Sequence, residues 1–158
     1  MEAVEESIKI RGFFRVQIKN EDGSLHGDSG WCKNNVTNEG IRSYLARTLG
    51  ALAGSSQISS AALGTGGAPV DGDTTLPGEL AEAVRAAVTA ATSGSTSVQF
   101  TGTFDSANSF ATATRNISNI GLHAAGAAGT LFAGNTYTSS ACATNQNVNF
   151  TYRITFAG

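Results

Sequence analysis

The sequence predicts a mainly β protein, an antiparallel β-sandwich or jelly roll with one α-helix at about residues 38–50 after an N-terminal hairpin. Three observations carry this. Apolar and polar residues alternate with period two in stretch after stretch, the pattern of half-buried strands. Only one stretch switches to a helical period. Turn residues punctuate the chain at short intervals, without the strand–helix alternation that a parallel sheet needs.

The first strand is the clearest. From Ile8 to Lys19, Ile8, Ile10, Phe14, Val16 and Ile18 share one face, with Gly12 as its gap, and Lys9, Arg11, Phe13, Arg15, Gln17 and Lys19 share the other. Asn20-Glu21-Asp22-Gly23 is turn chemistry, and a second strand is expected from Leu25 toward Trp31. The period then changes. Ile41, Tyr44, Leu45, Leu49 and Leu52 form a helical stripe, Thr37 or Asn38 is placed to cap it, and Glu39 suits the start of the helix dipole. Gly50 and Gly54 mark its end.

Ile58 to Leu63 reads as a short strand that exits through Gly64-Thr65-Gly66-Gly67 into a loop from Ala68 to Gly78. A strand is expected from near Ala83, with Val84, Ala86, Val88 and Ala90 on one face. After the Ser93-Gly94-Ser95 turn, Val98, Phe100, Gly102 and Phe104 define another. Ile117 to Leu122 and Leu131 to Tyr137 follow, separated by Gly126-Ala127-Ala128-Gly129. The last strand places Val148, Phe150, Tyr152, Ile154 and Phe156 inward and Asn149, Thr151, Arg153 and Thr155 outward. Seven or eight strands are expected, in one domain over residues 8–158, with residues 1–7 as a flexible arm.

Composition narrows the function classes. Ala, Gly, Ser and Thr make up 77 of 158 residues, and charged residues are 14%, against roughly 25% in ordinary soluble domains. Fourteen of the 22 charges lie in residues 1–50, and residues 86–158 hold only Asp105, Arg115 and Arg153. A surface made of hydroxyl and amide side chains can be covered by a neighbour at little cost in charge desolvation. A net charge of −2 excludes a generally basic nucleic-acid coat. No apolar run approaches the roughly 20 residues of a membrane-spanning helix. The acidic start, Met1-Glu2-Ala3-Val4-Glu5-Glu6, is the opposite of a signal-peptide n-region.

Catalytic chemistry is sparse. Cys32 and Cys142 read first as buried free thiols, with a disulfide between them as the alternative that an oxidising compartment would favour, and no Cys/His spacing suggests a metal site. His26 reads as a solvated hairpin residue and His123 as a satisfied histidine at a strand edge. Asp71-Gly72-Asp73 lacks the ligand pattern of a calcium loop and reads as Asx-turn chemistry. Gly64-Thr65-Gly66-Gly67 lacks the Lys-Ser/Thr of a phosphate-binding loop. The reading is of a non-enzyme, with no catalytic, cofactor or metal residue.

The charged face of the first strand is the better candidate. Lys9, Arg11, Arg15 and Lys19 recur at alternate positions over roughly 33 Å, at about 3.3 Å per residue, with Phe13 among them. As a solvated face such charges would guard a sheet edge. As a site they form a docking stripe for an acidic partner, with Phe13 as its anchor.

The segments "NNVTNEGIRSYLARTLG", "ISSAALGTGGAPVDGDTTLPGEL", "NIGLHAAGAAGTLFAG" and "QNVNFTYRITF" occur in an order that resembles a family of small virion structural proteins of tailed bacteriophages, head decoration (cement) or tail-fibre-like. The likeness runs through an N-x-V-T-N-x-G segment that opens a helix, an A-L-G-T-G-x-A-P segment that ends a strand, and an I-x-x-x-G-L strand before G-T-L-x-A. It covers most of residues 31–158. The resemblance implies a capsid decoration protein that binds the outer surface of a phage head and stabilises capsomer junctions. Its partners would be the major capsid protein and copies of itself, with no nucleic acid, membrane or cofactor. Its location would be the virion, assembled in the host cytoplasm. The alternative it leaves open is a tail-fibre, baseplate or receptor-binding subunit, whose partner is a host glycan or receptor.

Overall fold

The computed structural model describes residues 7–81, 84–108, 110–124 and 129–158. Eleven strands occur among them: β1 (Lys9–Lys19), β2 (Leu25–Asp28), β3 (Cys32–Lys33), β4 (Asn35–Val36), β5 (Ser60–Gly64), β6 (Ala86–Ala87), β7 (Thr89–Thr92), β8 (Ser97–Phe104), β9 (Arg115–His123), β10 (Leu131–Cys142) and β11 (Asn147–Ala157). They build two antiparallel sheets. A six-stranded sheet runs β2-β1-β11-β8-β7, with β3 also paired to β1, and a five-stranded sheet runs β4-β10-β9-β5-β6. The chain is mainly β, as its alternation predicts.

The inward sets of the two sheets interdigitate. Phe14, Val16 and Ile18 of β1, Phe150, Tyr152 and Ile154 of β11 and Phe100 and Phe104 of β8 meet Ile117, Ile120 and Leu122 of β9 and Phe132 of β10 in one core. Full burial of each such side chain is worth roughly 1.5–3 kcal/mol. Phe14 stacks on Tyr152 at 5.2 Å and meets the Tyr137 ring of the opposite sheet edge-on at 6.1 Å. The buried Tyr152 hydroxyl donates to the Ile120 carbonyl at 3.0 Å, a polar tie across the sandwich. Burying that hydroxyl without a partner would cost about 1–3 kcal/mol.

The helix occupies residues 38–49, close to the expected span, but it is wound as a π-helix over Gly40–Ala46 and as α-helix only at its ends, residues 38–39 and Arg47–Leu49. Thr37 caps it: its buried hydroxyl accepts from the Gly40 N–H at 3.0 Å and donates to the Leu131 carbonyl at 2.9 Å. Gly40 is there because a Cβ would stand 2.2 Å from the Phe132 carbonyl oxygen. The predicted apolar stripe is corrected. Tyr44 is buried and Leu45 packs against the core, whereas Ile41, Leu49 and Leu52 are 48%, 89% and 57% exposed. An i→i+5 turn holds more residues than an α turn, so a stripe laid out at the α period fans away from the sheet.

Other departures share one cause. The single strand expected from Ala83 is two strands in different sheets, β6 and β7, and the chain changes sheets at Val88, whose N–H donates to Ser59 at 3.1 Å. Alternation looks the same on either sheet, so the crossing leaves no mark in the pattern. The strand expected from Leu25 to Trp31 stops at Asp28 and resumes as β3. Two-residue strands are too short to show a period, which raises the count from seven or eight to eleven. Of the arm expected over residues 1–7, all but Ser7 lies outside the described residues, as does most of the Gly126–Gly129 turn.

The glycine-rich segment after β5 does what its composition predicts. Asn119 of β9 is fully buried, and its Nδ2 donates to the carbonyls of Gly67 at 3.0 Å and Pro77 at 2.7 Å. A Cβ on Gly64 would stand 2.3 Å from the Asn119 Oδ1. The strand leaves the sheet sharply and the amide clamps both ends of the loop. Asp73 accepts from the Val70 N–H at 2.8 Å, and Asp71 accepts from Asn35, so both carboxylates serve the loop.

Candidate docking face

The strand parity read from the sequence places Lys9, Arg11, Phe13, Arg15 and Lys19 on the outer face of the six-stranded sheet. β1 lies between β2 or β3 on one side and β11 on the other, so each of these residues gains a lateral neighbour. Lys9 stands beside Ala157, Arg11 beside Thr155, Arg15 beside Thr151 and Lys19 beside Asn147. Phe13 stands between two cations, in register with Arg153 on β11 and Lys33 on β3.

This register assembles more than the stripe. Trp31, 50% exposed, takes the Arg153 guanidinium over its ring at 5.5 Å from the centroid. Such cation–π contacts are worth about 0.5–1 kcal/mol at exposed sites. Arg153 also donates to Gln99 of β8 at 3.3 Å. Phe13 is 38% exposed, its ring lying in a row of cations. A shallow groove runs beside it, lined by Ile10, Arg11, Gly12, Phe13, Lys33 and Asn34. The result is a basic surface with two aromatic anchors.

The stripe is not uniform. Arg15 is taken up by Asp28 of β2: its Nε donates to the carboxylate at 2.9 Å and its NH2 at 2.5 Å, and Gln17 adds a bond at 2.9 Å. The Arg15 guanidinium, together with Gln17 and the Gly30 N–H, holds the Asp28 carboxyl well below the ordinary carboxylate range, against the opposing cost of its desolvation. Among the described residues this is the sole ion pair on the face. Among the described residues, Lys9, Arg11, Lys19 and Lys33 meet no carboxylate there. The predicted row is therefore one anchored guanidinium and several open cations.

Beyond the cations the face is neutral. β11 presents Asn149, Thr151 and Thr155 outward, and β8 presents Gln99, Thr101 and Thr103. Asn149 and Thr103 are bonded to each other at 3.1 Å, and Thr155 and Ser97 at 2.8 Å. Hydroxyls and amides that already satisfy one another can be covered without stripping water from a charge.

Nothing comparable gathers around the groups that could do chemistry. His26 is exposed on β2. His123 is not the edge residue expected: β9 lies between β10 and β5, and the ring is fully buried with Nδ1 against the Gly129 carbonyl at 3.1 Å. Burial and the nearby Arg85 pull its pKa down to about 4. Cys32 and Cys142 are free, and burial pushes the Cys142 thiol up to about 11, so it presents no thiolate at neutral pH. Among the described residues no cluster of His, Cys, Asp or Glu is arranged to hold a metal, and no helix is long and apolar enough to cross a membrane.

No family model matches this chain, and neither a curated protein nor a solved structure matches it. The functional reading rests on the face itself. Arg153 was legible as outward by the parity of the last strand. Lys33 and Trp31 were not: only the pairing of β3 with β1 brings Lys33 beside Phe13, and only the fold brings Trp31 against Arg153.

Proposed function

We propose that this chain is a non-enzymatic virion structural protein, a decoration protein that seats on the outer surface of a phage head. The outer face of its six-stranded sheet would lie against an acidic patch of the major capsid protein. The observation that carries the reading is the joining, on one antiparallel sheet, of open cations, two exposed aromatics and a neutral hydroxyl–amide field. The cations Lys9, Arg11, Lys19 and Lys33 steer the approach and set the orientation. Phe13 and Trp31 supply the apolar anchors that dominate interface energies. The neutral field adds area without charge desolvation. Each contact is modest, and repetition over a symmetric lattice raises the avidity.

The sandwich suits the role because its stability comes from a packed core that asks nothing of the outer face. Particle composition tests the proposal. Quantitative mass spectrometry of purified virions and of heads separated from tails should find the protein in the head fraction, in fixed ratio to the major capsid protein. Its confinement to tails, or its absence from particles, would overturn the proposal.

A further inference from the structure

The other long edge of the six-stranded sheet is open. β7 (Thr89–Thr92) pairs with β8 on one side only, and all four of its residues are exposed. Its four-residue length is its one guard, for it has no charge, no proline and no bulge. The phase of its hydrogen bonds can be fixed. Ser93 N–H donates to the Ser97 carbonyl at 3.0 Å, and antiparallel pairs alternate between bonded and non-bonded. The Ala91–Gln99 and Thr89–Thr101 pairs are then the bonded ones. Ala90 and Thr92 turn their N–H and C=O groups to the open side, where among the described residues neither finds a partner.

Beneath this edge is an apolar groove between the two sheets, lined by Leu45 and Thr48 of the helix, Ile58, and Ala90, Val98 and Phe100 of the six-stranded sheet. Leu49, the most exposed large apolar residue among those described, directly follows Thr48. Edge and groove lie together.

We infer that β7 is the self-association edge, and that a second copy of this chain pairs with it antiparallel about a two-fold axis through Ala91. The geometry closes on itself. Opposed residues on an antiparallel pair must share a face, and Ala90 and Thr92, which oppose the inward Phe100 and Val98, both face inward. Ala90 of one copy therefore bonds with Thr92 of the other, on both sides of the axis, and Ala91 meets its own copy in the close, non-bonded position, roughly 4.5 Å between Cα atoms. An uncharged residue such as Ala91 suits that position, where an identical charge would meet itself. So short a ladder falls well below the roughly 1,000 Å² of a stable interface. The axis also brings the two grooves side by side, and their apolar walls supply the remaining area. This inference goes beyond the head-binding proposal and does not depend on it, because that proposal uses the outer face of the sheet and this one the β7 edge.

Sedimentation velocity across a concentration series tests it, with wild type, Ala91→Ser and Ala91→Lys. Ala91 points outward on an exposed strand, so neither change disturbs the fold, and the near-ultraviolet signal of Trp31 checks this. Wild type and Ala91→Ser are expected to dimerise with similar affinity, and Ala91→Lys to lose at least tenfold. Amide exchange on wild type gives an independent reading, with the Ala90 and Thr92 amides gaining protection as concentration rises. A wild type that stays monomeric throughout overturns the inference. So does a dimer that Ala91→Lys leaves intact, or one that forms without protecting those two amides.

Discussion

Acidification from pH 7 toward 4 is expected to weaken the fold through one residue, His123. Its ring is fully buried on β9, with Nδ1 against the Gly129 carbonyl and the Arg85–Glu79 ion pair nearby. Desolvation, then the Arg85 charge, lowers its pKa from the ordinary 6.5 to about 4, against smaller opposing effects of the Gly129 carbonyl and Glu79. Between those values the unfolded chain binds a proton there and the native chain does not. Stability then falls with falling pH at about 1.4 kcal/mol per unit, and levels off once the native ring also protonates. Over the whole window the loss is at most about 3.5 kcal/mol, a large share of the roughly 5–15 kcal/mol of a typical domain. Urea unfolding at half-unit pH steps measures it, comparing wild type with His123→Gln, whose neutral amide still offers an N–H to Gly129. Carboxylates held low, such as Asp28 and Glu39, stabilise above their ordinary pKa and lose that contribution only at more acidic pH, in both proteins alike. The wild-type curve should therefore be steeper between pH 6.5 and 4. Parallel curves would refute the reasoning.

Two further perturbations test the packing. Phe150→Ala removes a ring that lies against Phe104 at 5.6 Å and fills the space over Gly102, where a Cβ would stand 2.5 Å from its Cζ; a loss of roughly 3–5 kcal/mol is expected in urea unfolding, and a near-zero effect would mean that this side of β11 is not core. Asn119→Ala strips the clamp from the loop between β5 and Glu79 and leaves the Gly67 and Pro77 carbonyls short of a donor; a cost of about 1–3 kcal/mol is expected, with faster amide exchange in residues 65–78, and unchanged exchange there would contradict the clamp.

How much of this was legible in the sequence depends on the range of the interaction that decides it. Alternation is local, so the inward sets of β1, β8 and β11 were readable before any coordinates. The turn at Gly23 and the cap at Thr37 are equally local. The sheet change at Val88 was invisible, because period two carries no label for which sheet a strand joins. The exposed Leu49 and Leu52 were misread because the stripe assumed the α period, while Gly40–Ala46 winds with more residues per turn. The docking face divides in the same way. Its row along β1 follows from parity, and the silencing of Arg15 by Asp28 depends on the hairpin register. The placing of Lys33 and Arg153 on either side of Phe13 depends on pairings between residues far apart in the chain.

The account stands most directly on what the open cations do. Arg11 and Lys33 are both exposed and outside the ion pair of the face, so Arg11→Glu with Lys33→Glu cancels the net charge of its four open cations while leaving the core and the Arg15–Asp28 pair intact. Binding of wild type and double variant to heads lacking the protein, measured by co-sedimentation over a salt series, is the decisive comparison. Wild-type occupancy is expected to fall as salt rises, and the variant to bind at least tenfold more weakly at low salt. Equal occupancy of the two proteins at every salt concentration would contradict the docking face.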